Sequence, residues 1–319
     1  MRALRFDRFG PPSVLQLVDV PAPTPSAQEA LVEVHAAAIN PSDVKNIAGK
    51  MSQTRLPRTP GRDYAGIVRI GTRPWQGVAV WGTGGDLGFT VDGADAEAMV
   101  VPISALRRKP ERLGFAEAAA VGTPFVTAYL ALTRAALAKS DLALIVGAAG
   151  AVGGAAVQIA AWLGADVVGL VRTEEEAALA RAYGAARVIV NRDGDALQAA
   201  RAVLGDEGVD VALDTTGVYL DVCVNLLAED GRTVAITASP DGKTTFDLRA
   251  LYRRDGRIIG VDSLKLTSSD AANILDALAP GFETGALRPP RVAERPLDEG
   301  VAAYQAKLEG KKVILVPNR

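Results

Sequence analysis

Residues 142–171 read LALIVGAAGAVGGAAVQIAAWLGADVVGLV. The segment opens on a short apolar run, LALIV, and glycines follow at once. AAVQIAAWLGA then reads as a buried helix ending at Gly164, and DVVGLV (166–171) as a second buried strand. Between 142 and 165 the one polar side chain is Gln158, and that length could cross a bilayer. The glycine punctuation, and flanks without basic or aromatic anchors, argue for strand, turn, helix, strand instead.

A glycine turn that follows a strand and opens a helix is the setting of a dinucleotide fingerprint. The G-x-G-x-x-G pattern takes the form Ala148-Ala149-Gly150-Ala151-Val152-Gly153, with Gly147 just before it. Gly150 lets the backbone approach a pyrophosphate, and Gly153 lets the helix pack close to the sheet. The free N–H groups over Ala149, Gly150, Ala151 and Val152 would bind the phosphates. No G-K-[ST] follows, which argues against a P-loop; a plain βαβ turn is the alternative. At the end of the second strand stands Arg172, where an NAD site offers an acid to the ribose 2′-hydroxyl. Arginine suits a 2′-phosphate, so NADPH is favoured over NADH. Glu174, Glu175 and Glu176 read as the acidic first turn of a helix. Asn191, after the strand ARVIV, is placed to reach the adenosine phosphate.

VDVALDTTG (209–217), GRTVAITA (231–238) and GRIIGVDS (256–263) add three strands with helix-like stretches between them. Six strands with helical crossovers make a doubly wound parallel α/β sheet of the Rossmann type. Ligands of such sheets lie beyond the carboxyl ends of strands, which nominates Thr216, Thr237, Ala238 and Val261 beside the ribose and nicotinamide. Each could equally be a plain turn residue.

The first 115 or so residues differ: they are rich in proline, glycine and short alternating strands, and read as an irregular β-domain. One helix is expected there from Ser42-Asp43 to Gly49. Near the C-terminus SSDAANILDALAPGF reads as helix and KKVILVP as a last strand. The chain has 319 residues, 49% of them hydrophobic and 23% charged, with a net charge of −2. These values suit a globular enzyme of two domains and offer no basic stripe for nucleic acid. Arg107-Arg108-Lys109 is too short for one and reads as a solvated loop. A single cysteine, Cys223, and no apolar leader point to a cytoplasmic protein. With one histidine, His35, in the strand-like VEVHAAAIN, the chain cannot assemble a common zinc site.

AAAINPSDVKNIAG, PRTPGRDYAGIV, GTPFVTAYLAL and GAAGAVGGAAVQIA together resemble the medium-chain dehydrogenase/reductase superfamily over nearly the whole chain. The A-x-x-G-x-V-G form resembles its zinc-free quinone oxidoreductase, zeta-crystallin-like branch. The resemblance implies a GroES-like irregular β-barrel from 1–119 and 264–319 around a Rossmann domain from 120–263. It also implies a homodimer, through GRIIGVD. The zinc enzymes of the superfamily carry histidine where this chain has Arg62, in Gly61-Arg62-Asp63, and no catalytic cysteine precedes the following helix.

By the same resemblance Asn40 faces the nicotinamide and substrate at the cleft between domains; an Asn-Pro turn residue is the alternative. Asp43 orients that cleft or simply caps a helix. Lys45 bonds a substrate carbonyl or enolate, or is a solvated helix lysine. Thr127 sits near the nicotinamide carboxamide. Tyr64 and Tyr129 are candidate hydroxyl donors or core residues. Trp81 and Phe89 would shape the pocket. Methionine at 51, where related reductases carry tyrosine, weakens the case for a 2-enoyl-thioester reductase. The expected activity is zinc-independent, NADPH-dependent reduction of a quinone or an activated C=C, with no metal and no membrane or nucleic-acid partner. A non-catalytic NADPH-binding protein and a zinc alcohol dehydrogenase are the competing expectations.

Overall fold

The structure, a computed structural model, describes residues 1–306 and 310–317. It divides into two compact units, Met1–Val126 with Leu264–Arg319, and Thr127–Ser263. The division falls inside a helix that begins at Phe115.

In the first unit, β1 (Arg2–Arg5) pairs with β2 (Gln16–Asp19). The main sheet is built from β3 (Glu29–Ala38), β4 (Asp63–Ile70), β5 (Ala79–Gly82), β6 (Ala98–Pro102) and β7 (Arg107–Arg108). Between β3 and β4 lies the helix α1 (Pro41–Ile47), and after β7 comes α2 (Phe115–Arg134). The period-2 pattern of EALVEVHAAA drives β3: alternate residues Ala30, Val32 and Val34 are buried in the core. Arg107, Arg108 and Lys109 are not a solvated loop. Arg107 donates to Asn273 Oδ1 at 2.6 Å, Arg108 lies over Trp75, and the Lys109 ammonium donates to the Pro110 carbonyl at 2.8 Å.

The second unit holds β8 (Leu142–Val146), α3 (Ala151–Trp162), β9 (Asp166–Val171), α4 (Glu174–Tyr183), β10 (Arg187–Val190), α5 (Ala196–Leu204) and β11 (Val209–Asp214). It continues through α6 (Leu220–Asn225), β12 (Leu227–Ala235), α7 (Leu248–Tyr252) and β13 (Arg257–Gly260). The six strands are all parallel in the order β10-β9-β8-β11-β12-β13. This is the Rossmann order, with its switch point between β8 and β11. The chain then returns to the first unit through α8 (Ser268–Thr284), β14 (Val292–Pro296), α9 (Gly300–Gln305) and β15 (Lys312–Val316). The main sheet of that unit runs β14-β15-β3-β4-β5-β7, with β6 on β3.

Candidate functional site

The glycine turn of the second unit takes the form the sequence predicts. Gly147 leaves β8 at φ +74°, a conformation that favours glycine. A Cβ on Gly153 would lie 2.0 Å from the Gly147 carbonyl oxygen, so glycine there lets α3 press against the end of β8. Gly150 is the N-cap of α3 and offers no side chain to the first turn, which holds no acidic residue. The N–H groups of the exposed Ala151 and half-buried Val152 therefore face a position that suits an anion. A pyrophosphate fits this cradle. The neighbouring α4 is the opposite case: Thr173 caps it by accepting from the Glu176 N–H at 3.1 Å, and three glutamates fill its first turn.

Around the turn, the nominated residues divide by what their side chains already do. Asp214 ends β11 and accepts from the Thr216 N–H (2.8 Å), the Thr216 hydroxyl (2.7 Å) and the Tyr219 N–H (2.8 Å). Thr216 is thus tied into its own loop. Asn191 is also committed, donating to the Gly194 carbonyl at 3.1 Å. Thr237 and Ala238 are exposed just past β12, and Val261, past β13, donates its N–H to Ala235 at 2.9 Å. The Thr127 hydroxyl donates to Ser263 Oγ at 2.9 Å.

Arg172 is exposed at the end of β9 but not free. Its guanidinium reaches Glu176 Oε1 at 2.6 Å and its backbone N–H reaches Oε2 at 2.8 Å. Partial burial works against ionisation of Glu176. The two Arg172 bonds and the charges of Arg172 and Arg192 outweigh it and hold that carboxyl below its ordinary range. Arg192 was not singled out from the sequence. It follows Asn191 directly, so two arginines and one glutamate share this corner.

A second cluster lies in the first unit, and strand register assembles it. Ala38 pairs with both Ile314 on β15 and Asp63 on β4, and Tyr64 pairs with Gly82 on β5. Continuing each register sets Thr83 across from Asp63 and, two residues further along β3 and on the same face, Lys312 across from Asn40, in two neighbouring rows at the end of the sheet. The Lys312 ammonium accordingly donates to Asn40 Oδ1, and Asn40 Nδ2 donates to Asp63 Oδ2 at 2.9 Å. Asp63 is fully buried and accepts also from the Thr83 hydroxyl, the Thr123 hydroxyl (2.7 Å) and the Thr123 N–H (2.9 Å). That last bond inserts the carboxylate into α2. Pro124, next in the helix, lacks an N–H and loosens the ladder there.

Asn40, not Asp43, caps α1, which starts at Pro41, earlier than expected. Proline suits the first helical position, and Asp43 closes a capping box by accepting from the Asn40 N–H at 2.8 Å. Asp43 is fully buried, and burial pushes its carboxyl up to about 6. The nearby Asp63 adds to that rise, while Arg62, the Asn40 N–H and Lys312 oppose it. Burial lowers the Lys312 ammonium, against the attraction of Asp63 and Asp43.

Two nominated residues are not brought into this cluster. Lys45 is exposed on α1. Adjacent strand residues face opposite ways, so Tyr64 turns away from Asp63 into the hydrophobic core, where its ring lies against Gly82. Burial raises its phenol well above the ordinary range, which makes it a poor proton donor. Trp81 is likewise core, edge-on to Phe282 with centroids 5.7 Å apart. Asp63 and Lys312 were missed. The available signal was a lysine opening an otherwise apolar strand, KVILV.

Two family models match the chain: an alcohol dehydrogenase GroES-like domain over residues 26–111, and a zinc-binding dehydrogenase over 151–279. The zinc-type alcohol dehydrogenase-like protein of Schizosaccharomyces pombe is 38% identical over 96% of this chain and 93% of its own length. The chain belongs to the medium-chain dehydrogenase/reductase superfamily. Another superfamily relative, human quinone oxidoreductase, is 31% identical over 97% of this chain and 94% of its own. Among solved structures, an NAD-dependent alcohol dehydrogenase superposes with a TM-score of 0.90 at 28% identity, with both chains covered completely. A mycobacterial quinone oxidoreductase superposes at 0.86 and 25% identity, covering 99% of this chain and 100% of its own.

Membership implies a nicotinamide cofactor, which the bare N-terminus of α3 fits. It also raises zinc, which the donor set does not fit. Arg62, a cation, stands before Asp63; His35 stacks on Phe115 with centroids 4.4 Å apart; and Cys223 is buried in the core of the other unit. Among the described residues no cluster of three or more His, Cys, Asp and Glu is arranged to hold a metal.

Proposed function

We propose that this chain is a zinc-independent reductase that prefers NADPH and reduces a quinone or the C=C bond of an α,β-unsaturated carbonyl. The observation that carries the reading is the bare glycine-capped N-terminus of α3, with Arg172 at the end of the following strand. The α3 N–H groups hold the pyrophosphate. Arg172 and Arg192 take the 2′-phosphate once Arg172 swings off Glu176. The bound nicotinamide supplies a hydride, and the protein supplies orientation. A conjugated substrate spreads the charge that develops, so the reaction has no need of a metal to polarise an alcohol.

Glu176 favours a second reading, in which its carboxylate takes the ribose 2′-hydroxyl and NADH is accepted too. The Glu176→Gln variant separates the two: it should strengthen NADPH binding if the corner reads phosphate, and weaken NADH binding if it reads the hydroxyl. We further propose a cytoplasmic homodimer formed through β13, the edge strand of the parallel sheet, where Ile258 is exposed. Light scattering tests the dimer.

The activity test is NADPH consumption with a panel of quinones, enones and enoyl thioesters. Turnover of a quinone or an enone supports the reading. Turnover confined to thioesters would move the substrate class. Tight NADPH binding without turnover would make this a binding protein instead.

A further inference from the structure

Arg62 is 2% exposed, and its Nε has no hydrogen-bond partner among the described residues. Its guanidinium forms no ion pair with them either. The Phe89 ring lies 5.2 Å from Cζ, a weak compensation for a buried cation. Asp63 cannot pair with it, because four donors already occupy that carboxylate. Asp43 attracts Arg62 through space, yet Asp43 Oδ1 is also a buried atom without a partner. Buried polar groups are almost always bonded, and an unpaired buried charge is costly. Two such orphans, of opposite sign and acting on each other beside a saturated network, mark a place built for a polar group from outside the chain.

We propose that Arg62 is a catalytic residue that binds the substrate's carbonyl oxygen and stabilises the negative charge that gathers there. This deepens the reductase reading above and rests on it. The guanidinium is planar, permanently charged and offers paired N–H donors, which suits a carbonyl oxygen becoming an enolate. As hydride from the reduced nicotinamide bonds to the β-carbon, the C=C electron pair shifts to form the enolate, with its charge on the oxygen held by Arg62. A proton from water then bonds to the α-carbon and the carbonyl re-forms. The substrate gains two electrons and two hydrogens, and the nicotinamide is oxidised. The substrate class is therefore one with a carbonyl conjugated to the reacting carbon, quinones included.

The test compares full-length wild type with Arg62→Gln, Arg62→Lys and Arg62→Ala in NADPH-dependent reduction of a cyclic enone, with NADPH affinity and melting temperature measured beside it. The expected result for Arg62→Gln is a loss of about 100-fold or more in kcat, with NADPH affinity unchanged. Arg62→Lys should keep part of the activity, and added methylguanidine should restore turnover to Arg62→Ala. A lower melting temperature with kcat and KM within about threefold of wild type would make Arg62 structural and overturn the proposal. If the glutamine variant does not fold, Arg62→Lys decides: a kcat loss of about tenfold supports the role, and unchanged kcat sinks it.

If wild type turns over no member of the panel, the reductase reading fails, and the oxyanion site is judged by itself. Calorimetry with 4-nitrophenolate should then show binding that is at least about tenfold weaker in Arg62→Gln. Equal binding overturns the site as well.

Discussion

The glycine turn occupies eight successive residues, 147–154, whereas the carboxylate of Asp63 is held by partners at 40, 83 and 123. The turn works through its backbone. One left-handed glycine and one glycine without room for a Cβ shape it, and glycine is visible in a sequence. The Asp63 cluster works through side chains that meet only when β3, β4, β5 and β15 are in register. The first kind of site is local and the second is a product of topology. Their responses to substitution should differ accordingly.

Asp63→Ala should have the largest effect, because it strips the acceptor from four donors at once. A loss of about 3–5 kcal/mol is expected in urea unfolding. A loss under about 1 kcal/mol would mean that the cluster is not held together by this carboxylate.

Asp95 gives the next effect. It is fully buried, its Oδ2 accepts from the Tyr304 hydroxyl at 2.5 Å, and burial pushes its carboxyl up to about 7. The Tyr304 bond opposes that rise, and Asp43 adds to it. A raised carboxyl keeps its proton in the folded state where the unfolded chain has lost it. Stability therefore falls as pH rises from about 4 to about 7. The ceiling is about 4 kcal/mol, at roughly 1.4 kcal/mol for each tenfold change in proton affinity. Asp95→Asn should flatten most of this slope when unfolding is measured from pH 5 to pH 8. The smaller part from Asp43, near 6, should remain.

For the turn, Gly153→Ala should destabilise by about 1–3 kcal/mol and weaken NADPH binding together, since the added methyl pushes α3 off β8. Stability lost without any change in nucleotide binding would separate the turn from the cofactor. The two lysines sharpen the contrast further. Lys312→Met leaves Asn40 Oδ1 without its donor and should cost about 1–3 kcal/mol. Lys45→Met, on the exposed face of α1, should stay within about 0.5 kcal/mol and leave turnover unchanged.

The same difference explains what could be read in advance. Period-2 burial in EALVEVHAAA and the strand–glycine–helix order of 142–171 are local signals, and both elements form where they were expected. Asn40 and Asp43 were legible as part of one short motif, though the N-cap fell to Asn40 and Asp43 took the third helical position of the capping box. Lys45 and Lys312 look alike in a sequence. Only the pairing of β15 with β3 buries one against Asn40 while helix geometry leaves the other in solvent. Of the two readings open for Tyr64, the core one holds for a related reason: one residue along a strand reverses the face, and Asp63 took the polar side. The Arg172–Glu176 pair was hidden because Glu176 reads equally well as a helix-capping acid.

The most direct measurement is titration of NADPH and NADH into wild type and Arg172→Ala. The account predicts tighter binding of NADPH by wild type, and loss of that preference in the variant by about 1–3 kcal/mol. If wild type binds neither nucleotide, the glycine turn is only a connection between β8 and α3, and the reductase assignment falls with it.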